Sequence, residues 1–85
     1  MVNELENFKK RLLYRASYRG TKEMDMLLGK FVNKYIGDFN EAHLKELEDF
    51  LNFDDDIIFN YYQNKIVQKN IDQNIISKLF INFKI

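Results

Sequence analysis

The sequence predicts an all-α fold, a compact bundle of about five short helices forming a single domain over residues 1–85. Three observations point to it. There is no proline and there are only three glycines, so little in the chain interrupts a helix. Apolar residues recur at intervals of three and four in successive segments separated by glycine, asparagine or aspartate, which is the pattern of helices burying one stripe. Apolar residues make up 46% and charged residues 31%, a globular composition rather than a disordered one. A chain of this length supports one apolar core and leaves no room for a second.

Leu5, Phe8, Leu12 and Ala16 form the first buried stripe and predict a helix from about Asn3 to Tyr18. Arg11, Arg15 and Arg19 are the only arginines, each four residues from the next, a spacing that aligns them on one side of a helix. At roughly 100° per residue, Arg11, Tyr14, Arg15 and Tyr18 fall beside the stripe, with Arg19 close to it at the helix end. The flank is either a rim that covers the core or a cationic, aromatic contact surface. Periodicity does not separate the two. A chain that otherwise uses lysine keeps arginine here alone, and the planar guanidinium suits bidentate or stacked contacts.

Gly20 can take the left-handed backbone that stops a helix, and Thr21 can cap the next one, so a tight corner is expected. The second helix is predicted from about Lys22 to Ile36, burying Met24, Leu27, Leu28, Phe31 and Tyr35. Glu23, Met26 and Lys30 lie on the opposite strip with Gly29 beside them. That strip is a partner patch or simply an exposed methionine among charges. Glu23 and Asp25 sit in the first turn, where the helix dipole favours carboxylates by about 0.3–1 kcal/mol. Alternatively, Glu23 stands beside Arg15 or Arg19, which would keep it ionised.

Gly37 is expected to close that helix and Asn40 to cap a third, from about Glu41 to Asn52, with Leu44, Leu47 and Leu51 inward and Phe50 and Phe53 widening its apolar side. Asp54, Asp55 and Asp56 read as the charged start of a fourth helix that ends near Lys65 or later. As a cation loop they lack the alternating oxygen ligands, glycine and distal glutamate of an EF-hand. His43, the single histidine, has no companions for a metal set, so no metal is expected. A last helix is predicted from about Asp72 to Asn82, with Ile75, Ile76, Leu79, Phe80 and Phe83 on one face.

Thirteen basic and thirteen acidic side chains cancel, leaving no electrostatic footprint for nucleic acid or an anionic membrane. That weighs against a DNA-binding helix-turn-helix, which the glycine corner and the arginines would otherwise suggest. No apolar run approaches the ~20 residues of a membrane span. The absence of cysteine, of a signal peptide and of an arginine-rich leader, with a composition typical of AT-rich genomes, predicts the cytoplasm of a bacterium. Without a phosphate loop, a nucleophile triad or a dinucleotide fingerprint, the chain is expected not to be an enzyme and not to hold a cofactor. A surface that acts on a larger protein is the better expectation for so small a bundle.

The string Arg15-x-x-x-Arg19-Gly20-x-x-Glu23-x-Asp25-x-x-Leu28, followed by Gly29 and Phe31, resembles the signature of the SdhE-like succinate dehydrogenase assembly (flavinylation) factors. Asp54-Asp55 and Phe59-Asn60-Tyr61 extend the likeness over almost the whole chain. Departures are Asp54-Asp55-Asp56-Ile57 where many members have Asp-Asp-Pro-Asp, and Tyr61 where tryptophan is common. The resemblance implies an assembly chaperone, expected to be a monomer, for the flavoprotein subunit of succinate dehydrogenase or fumarate reductase. It would promote covalent attachment of FAD carried by that client. It also implies a partner surface of Arg15, Arg19, Gly20, Glu23 and Asp25, to which the flank and the exposed strip add Arg11, Tyr18 and Met26. An antitoxin or another small helical interaction module remains the alternative.

Overall fold

The computed structural model describes residues 4–84. Five α-helices occur among them: α1 (Glu4–Ser17), α2 (Lys22–Tyr35), α3 (Glu41–Leu51), α4 (Asp55–Asn64) and α5 (Ile75–Phe80). Two 3-10 turns, Ile36–Asp38 and Ile71–Gln73, complete the order, and the described residues contain no strand. The expected start of the first helix at Asn3 lies outside the described residues.

Helix α1 folds back on α2 through residues 18–21, and α3 packs against both α1 and α5. Gly29 makes the first contact close: a Cβ there would stand 3.1 Å from Ser17 Oγ. Gly29 therefore serves helix packing instead of joining Met26 in a partner patch. The core is built around Phe31, which is fully buried and has rings on several sides. Its centroid lies 4.9 Å from Phe80, 5.3 Å from Phe83, 5.4 Å from Tyr35 and 6.5 Å from Phe50. Edge-on and tilted arrangements of this kind are the favoured ones for aromatic pairs.

The apolar patterns hold for the middle helices and weaken at the ends. Leu12, Ala16, Met24, Leu27, Leu28, Leu44, Leu47 and Leu51 are buried as expected, and Val32 joins them. Leu5 is exposed, and Phe8 is half-buried at the edge of the core. Tyr35 and Leu79 are also half-buried. Tyr18 lies just beyond α1, and Gly37 sits in the 3-10 turn without positive φ, so α2 is not closed by a left-handed glycine.

The largest difference is at the last helix. It begins at Ile75, not near Asp72, and ends at Phe80. Asn74 sets the start: its Oδ1 accepts from the backbone N–H of Ile76 at 2.7 Å and of Ser77 at 3.3 Å. Its amide also donates to the carbonyl of Glu46 at 2.8 Å, which pins the cap to α3. The shift in start leaves Ile75 exposed, while Ile76, Phe80 and Phe83 remain buried.

At α4, burial first and the negative charge of Asp72 second raise the Tyr61 phenol above its ordinary value of 10.0. The folded state thus holds this proton more tightly than the unfolded chain. The resulting stability is present below pH ~10 and is lost as pH rises through the folded pKa. Thermal melts across pH 8–11.5 should show the wild type losing Tm above pH ~10 more steeply than Tyr61→Phe. Parallel curves for the two proteins would exclude Tyr61 as the cause.

Candidate functional site

Gly20 sits at φ +115° between α1 and α2, a backbone region that side-chain-bearing residues rarely enter. Thr21 follows as the N-cap of α2, its hydroxyl accepting from the N–H of Met24 at 3.3 Å. Asp25 closes the corner from the other side. Its Oδ1 accepts from the backbone N–H of Arg19, and from that of Gly20 at 3.2 Å. The sequence assigns Asp25 to the partner surface; the structure engages its carboxylate inside the corner and leaves it half-buried.

Arg19 is turned inward as well. Its Nε donates to Asp55 Oδ1 at 2.7 Å, Nη1 to the carbonyl of Leu51 at 2.6 Å and Nη2 to the carbonyl of Phe53 at 2.7 Å. The side chain is 12% exposed and that of Asp55 28%. Hydrogen bonds to a charged group contribute about 1.5–3 kcal/mol each, and a loss of one partner leaves the others unsatisfied. Arg19 therefore fastens the end of α1 to the connection between α3 and α4. The three aspartates divide accordingly: Asp54 is the N-cap residue of α4 without a side-chain cap bond, Asp55 pairs with Arg19, and Asp56 is exposed.

The remaining candidates face outward. Arg15 is half-buried and donates from Nη2 to Asn52 Oδ1 at 2.7 Å. Arg11 is exposed, its guanidinium 5.4 Å from the Phe8 ring. Tyr14 and Tyr18 stack at 4.3 Å with 27° between their planes. They are 64% and 67% exposed, so they do not cover the core. Met26 is exposed on the outer face of α2. Glu23 is exposed beside the corner, and among the described residues no ion pair joins it to Arg15 or Arg19.

An open groove of about 640 Å³ runs between the C-terminal half of α1 and the α3–α4 connection. Tyr14, Arg15 and Tyr18 form one wall, and Asn52, Asp54 and Asp56 contribute to the other. Asn52, Asp54 and Asp56 are groove residues that the sequence did not assign to a contact surface, and Tyr14 was placed on the flank but not among the partner residues. The Arg15–Asn52 contact spans 37 positions and has no local signal.

His43 completes a capping box. Its N–H donates to Asn40 Oδ1 at 2.9 Å and its Nδ1 accepts from the N–H of Asn40 at 3.4 Å. Among the described residues no group of three or more His, Asp or Glu side chains is placed to hold a metal ion. No described helix is long and apolar enough to cross a membrane.

Comparison with known proteins agrees with the resemblance in the sequence. The family described as the flavinator of succinate dehydrogenase (Sdh5) matches residues 10–82. The chain is 36% identical over 64 residues to succinate dehydrogenase assembly factor 2, mitochondrial, of Dictyostelium discoideum, covering 75% of this chain and 45% of that protein. It is 35% identical over 83 residues to the factor of the same name from Komagataella phaffii, covering 91% and 44%. Against assembly factor 2-B of Drosophila willistoni it is 36% identical over 78 residues, covering 88% and 50%. The chain spans half or less of the length of these relatives. No solved structure matches it.

The relatives correct the expected location. They are mitochondrial proteins of eukaryotes, so the bacterial cytoplasm inferred from composition and a missing leader does not stand. That inference used features of 85 residues only, and the physics of a folded core carries no address. With a family match over residues 10–82 and relatives above 30% identity along most of its length, the chain belongs to the flavinator family of succinate dehydrogenase, the assembly factors of that enzyme.

Proposed function

We propose that this chain binds the flavoprotein subunit of succinate dehydrogenase, and that of fumarate reductase where present, and promotes covalent attachment of FAD to it without turning over a substrate itself. The supporting observation is the corner at Gly20. Its internal polar groups are engaged by Asp25, Thr21 and Arg19, which leaves Glu23 as the exposed carboxylate of the corner, with exposed Lys22 beside it, close to a glycine with no atom within 4 Å of a would-be Cβ. A rigid corner with an open glycine permits close approach of another backbone and delivers a carboxylate to a fixed place. Arg15, Tyr18 and Met26 lie on the elements that meet at the corner and, with Arg11 farther back along α1, supply the polar and amphipathic rim of a protein contact.

In this reading the flavin belongs to the client. The chain lacks a glycine-rich phosphate cradle, and its main groove is open and acidic on one wall. Attachment would join a client histidine nitrogen to the methyl carbon on the flavin ring, that carbon and the nitrogen each giving up a proton and the ring taking up the electron pair of the broken C–H bond. The contribution of this chain is orientation and electrostatics, with Arg15 making charge-assisted contacts to the open client and Glu23 reaching toward the flavin and histidine. The chain acts as a monomer in a one-to-one complex.

Glu23→Ala tests the assignment. An exposed carboxylate in the first turn of α2 contributes about 0.3–1 kcal/mol through the helix dipole, so folding should be near normal. Covalent flavin fluorescence of the client on a denaturing gel should fall several-fold in a timed reaction. Unimpaired flavinylation by the folded variant would remove Glu23 from the mechanism.

A further inference from the structure

We propose that Arg19 is a positioning residue: it acts on the partner through the α3–α4 connection instead of touching it. This rests on the reading of the partner given above. Each of its three side-chain nitrogens donates inward, to Asp55 in the first turn of α4, to the carbonyl of Leu51 at the end of α3 and to the carbonyl of Phe53 between them. The side chain is 12% exposed, which leaves little of it for a second protein. The planar fork of donors suits three acceptors in this arrangement, and the single ammonium of a lysine does not.

The backbone of the same residue does the complementary job. Its N–H and that of Gly20 donate to Asp25 of α2. One residue thus connects two parts of the surface that lie far apart in sequence, the Gly20–Glu23 corner and the wall of the groove formed by residues 52–56, the Arg19–Asp55 bond itself spanning 36 positions. Tyr14 and Tyr18, stacked and exposed, form the wall of the groove that faces residues 52–56. Arg19 sets the spacing at which a partner meets the corner, the two rings and the far wall together. The partner face accordingly extends beyond the corner to Tyr14, Asn52 and Asp56.

A double-mutant cycle separates positioning from contact. Arg19→Ala, Asp55→Asn and the pair are prepared in the full chain and compared, below their melting temperatures, for affinity to the purified flavoprotein subunit. Asp55→Asn keeps the shape of the side chain and serves as the variant least disturbing to the fold. Positioning predicts that each single change weakens binding about tenfold or more and that the pair is no weaker than the worse single. Arg19→Lys should not restore affinity. Additive losses, or full affinity in Asp55→Asn with weak binding in Arg19→Ala, would overturn the proposal and make Arg19 a direct contact.

A second readout is independent of the client. The chain has three arginines, so the Nε–H region of its nitrogen-proton spectrum contains three assignable signals. The Arg19 signal should exchange slowly with solvent in the wild type and rapidly in Asp55→Asn, with Arg11 fast in both. Fast exchange of Arg19 in the wild type would overturn the internal tie. If the wild-type chain fails to bind the flavoprotein subunit, the partner reading fails by itself, and this exchange measurement still decides the tie.

Discussion

Phe31→Ala is expected to lower the midpoint of the domain's cooperative thermal transition severely. The ring is fully buried and meets Phe50, Phe80, Phe83 and Tyr35, so its removal opens a cavity at the place where α2, α3 and the C-terminal segment converge. Truncating a buried phenylalanine costs about 3–5 kcal/mol. Small domains hold only about 5–15 kcal/mol in total, and an 85-residue chain belongs at the low end. With about 4–8 °C of Tm per kcal/mol for domains of this size, a fall of at least ~12 °C should appear in a melt followed by circular dichroism at 222 nm. Phe31→Leu, which keeps much of the volume, should lose less than half as much. A drop of only a few degrees in the alanine variant would show that the aromatic cluster relaxes around the gap and that the core is centred elsewhere.

The burial of Phe31 was legible from spacing, since it stands on the stripe of Met24, Leu27 and Leu28, whereas its place at the centre of the aromatic cluster was not. The corner was legible for a similar reason: glycine followed by a capping threonine has few other uses, and Thr21 caps α2 as expected. What the sequence could not show is the direction in which a charge points. Arg11, Arg15 and Arg19 share one four-residue spacing, and helix geometry brings Arg19 close to the stripe without naming a partner, yet Arg19 meets Asp55 and two carbonyls from elements 32–36 positions away. The three form a series, from exposed Arg11 through half-buried Arg15 to enclosed Arg19, because α1 approaches the α3–α4 connection at its C-terminal end.

Asp25 tells the same story over a shorter range. Its place in the first turn of α2 suits the dipole, but the dominant interaction is with the two backbone N–H groups of the preceding corner, which nothing in its spacing distinguishes from Glu23. The end of the chain was misread for a different reason. The helix expected from about Asp72 starts after Asn74, which caps it and is tied to the carbonyl of Glu46, 28 positions away. Propensity names the candidates at such a boundary, and packing selects among them.

Substitutions at Gly20 are expected to have the largest effect on client binding. At φ +115° any side chain strains the backbone, at a cost of order 1–3 kcal/mol. That cost is common to Gly20→Ala and Gly20→Leu, since nothing lies within 4 Å of the added Cβ. Both variants should therefore keep a helical spectrum and lose a similar 4–20 °C or so of Tm. They should differ in binding. The leucine projects outward into the space that a partner backbone would occupy beside Glu23, so it should lose about tenfold or more beyond the alanine variant in affinity for the flavoprotein subunit. Equal affinity in the two would assign the role of Gly20 to backbone geometry alone, and wild-type affinity in Gly20→Leu would move the interface away from this corner altogether.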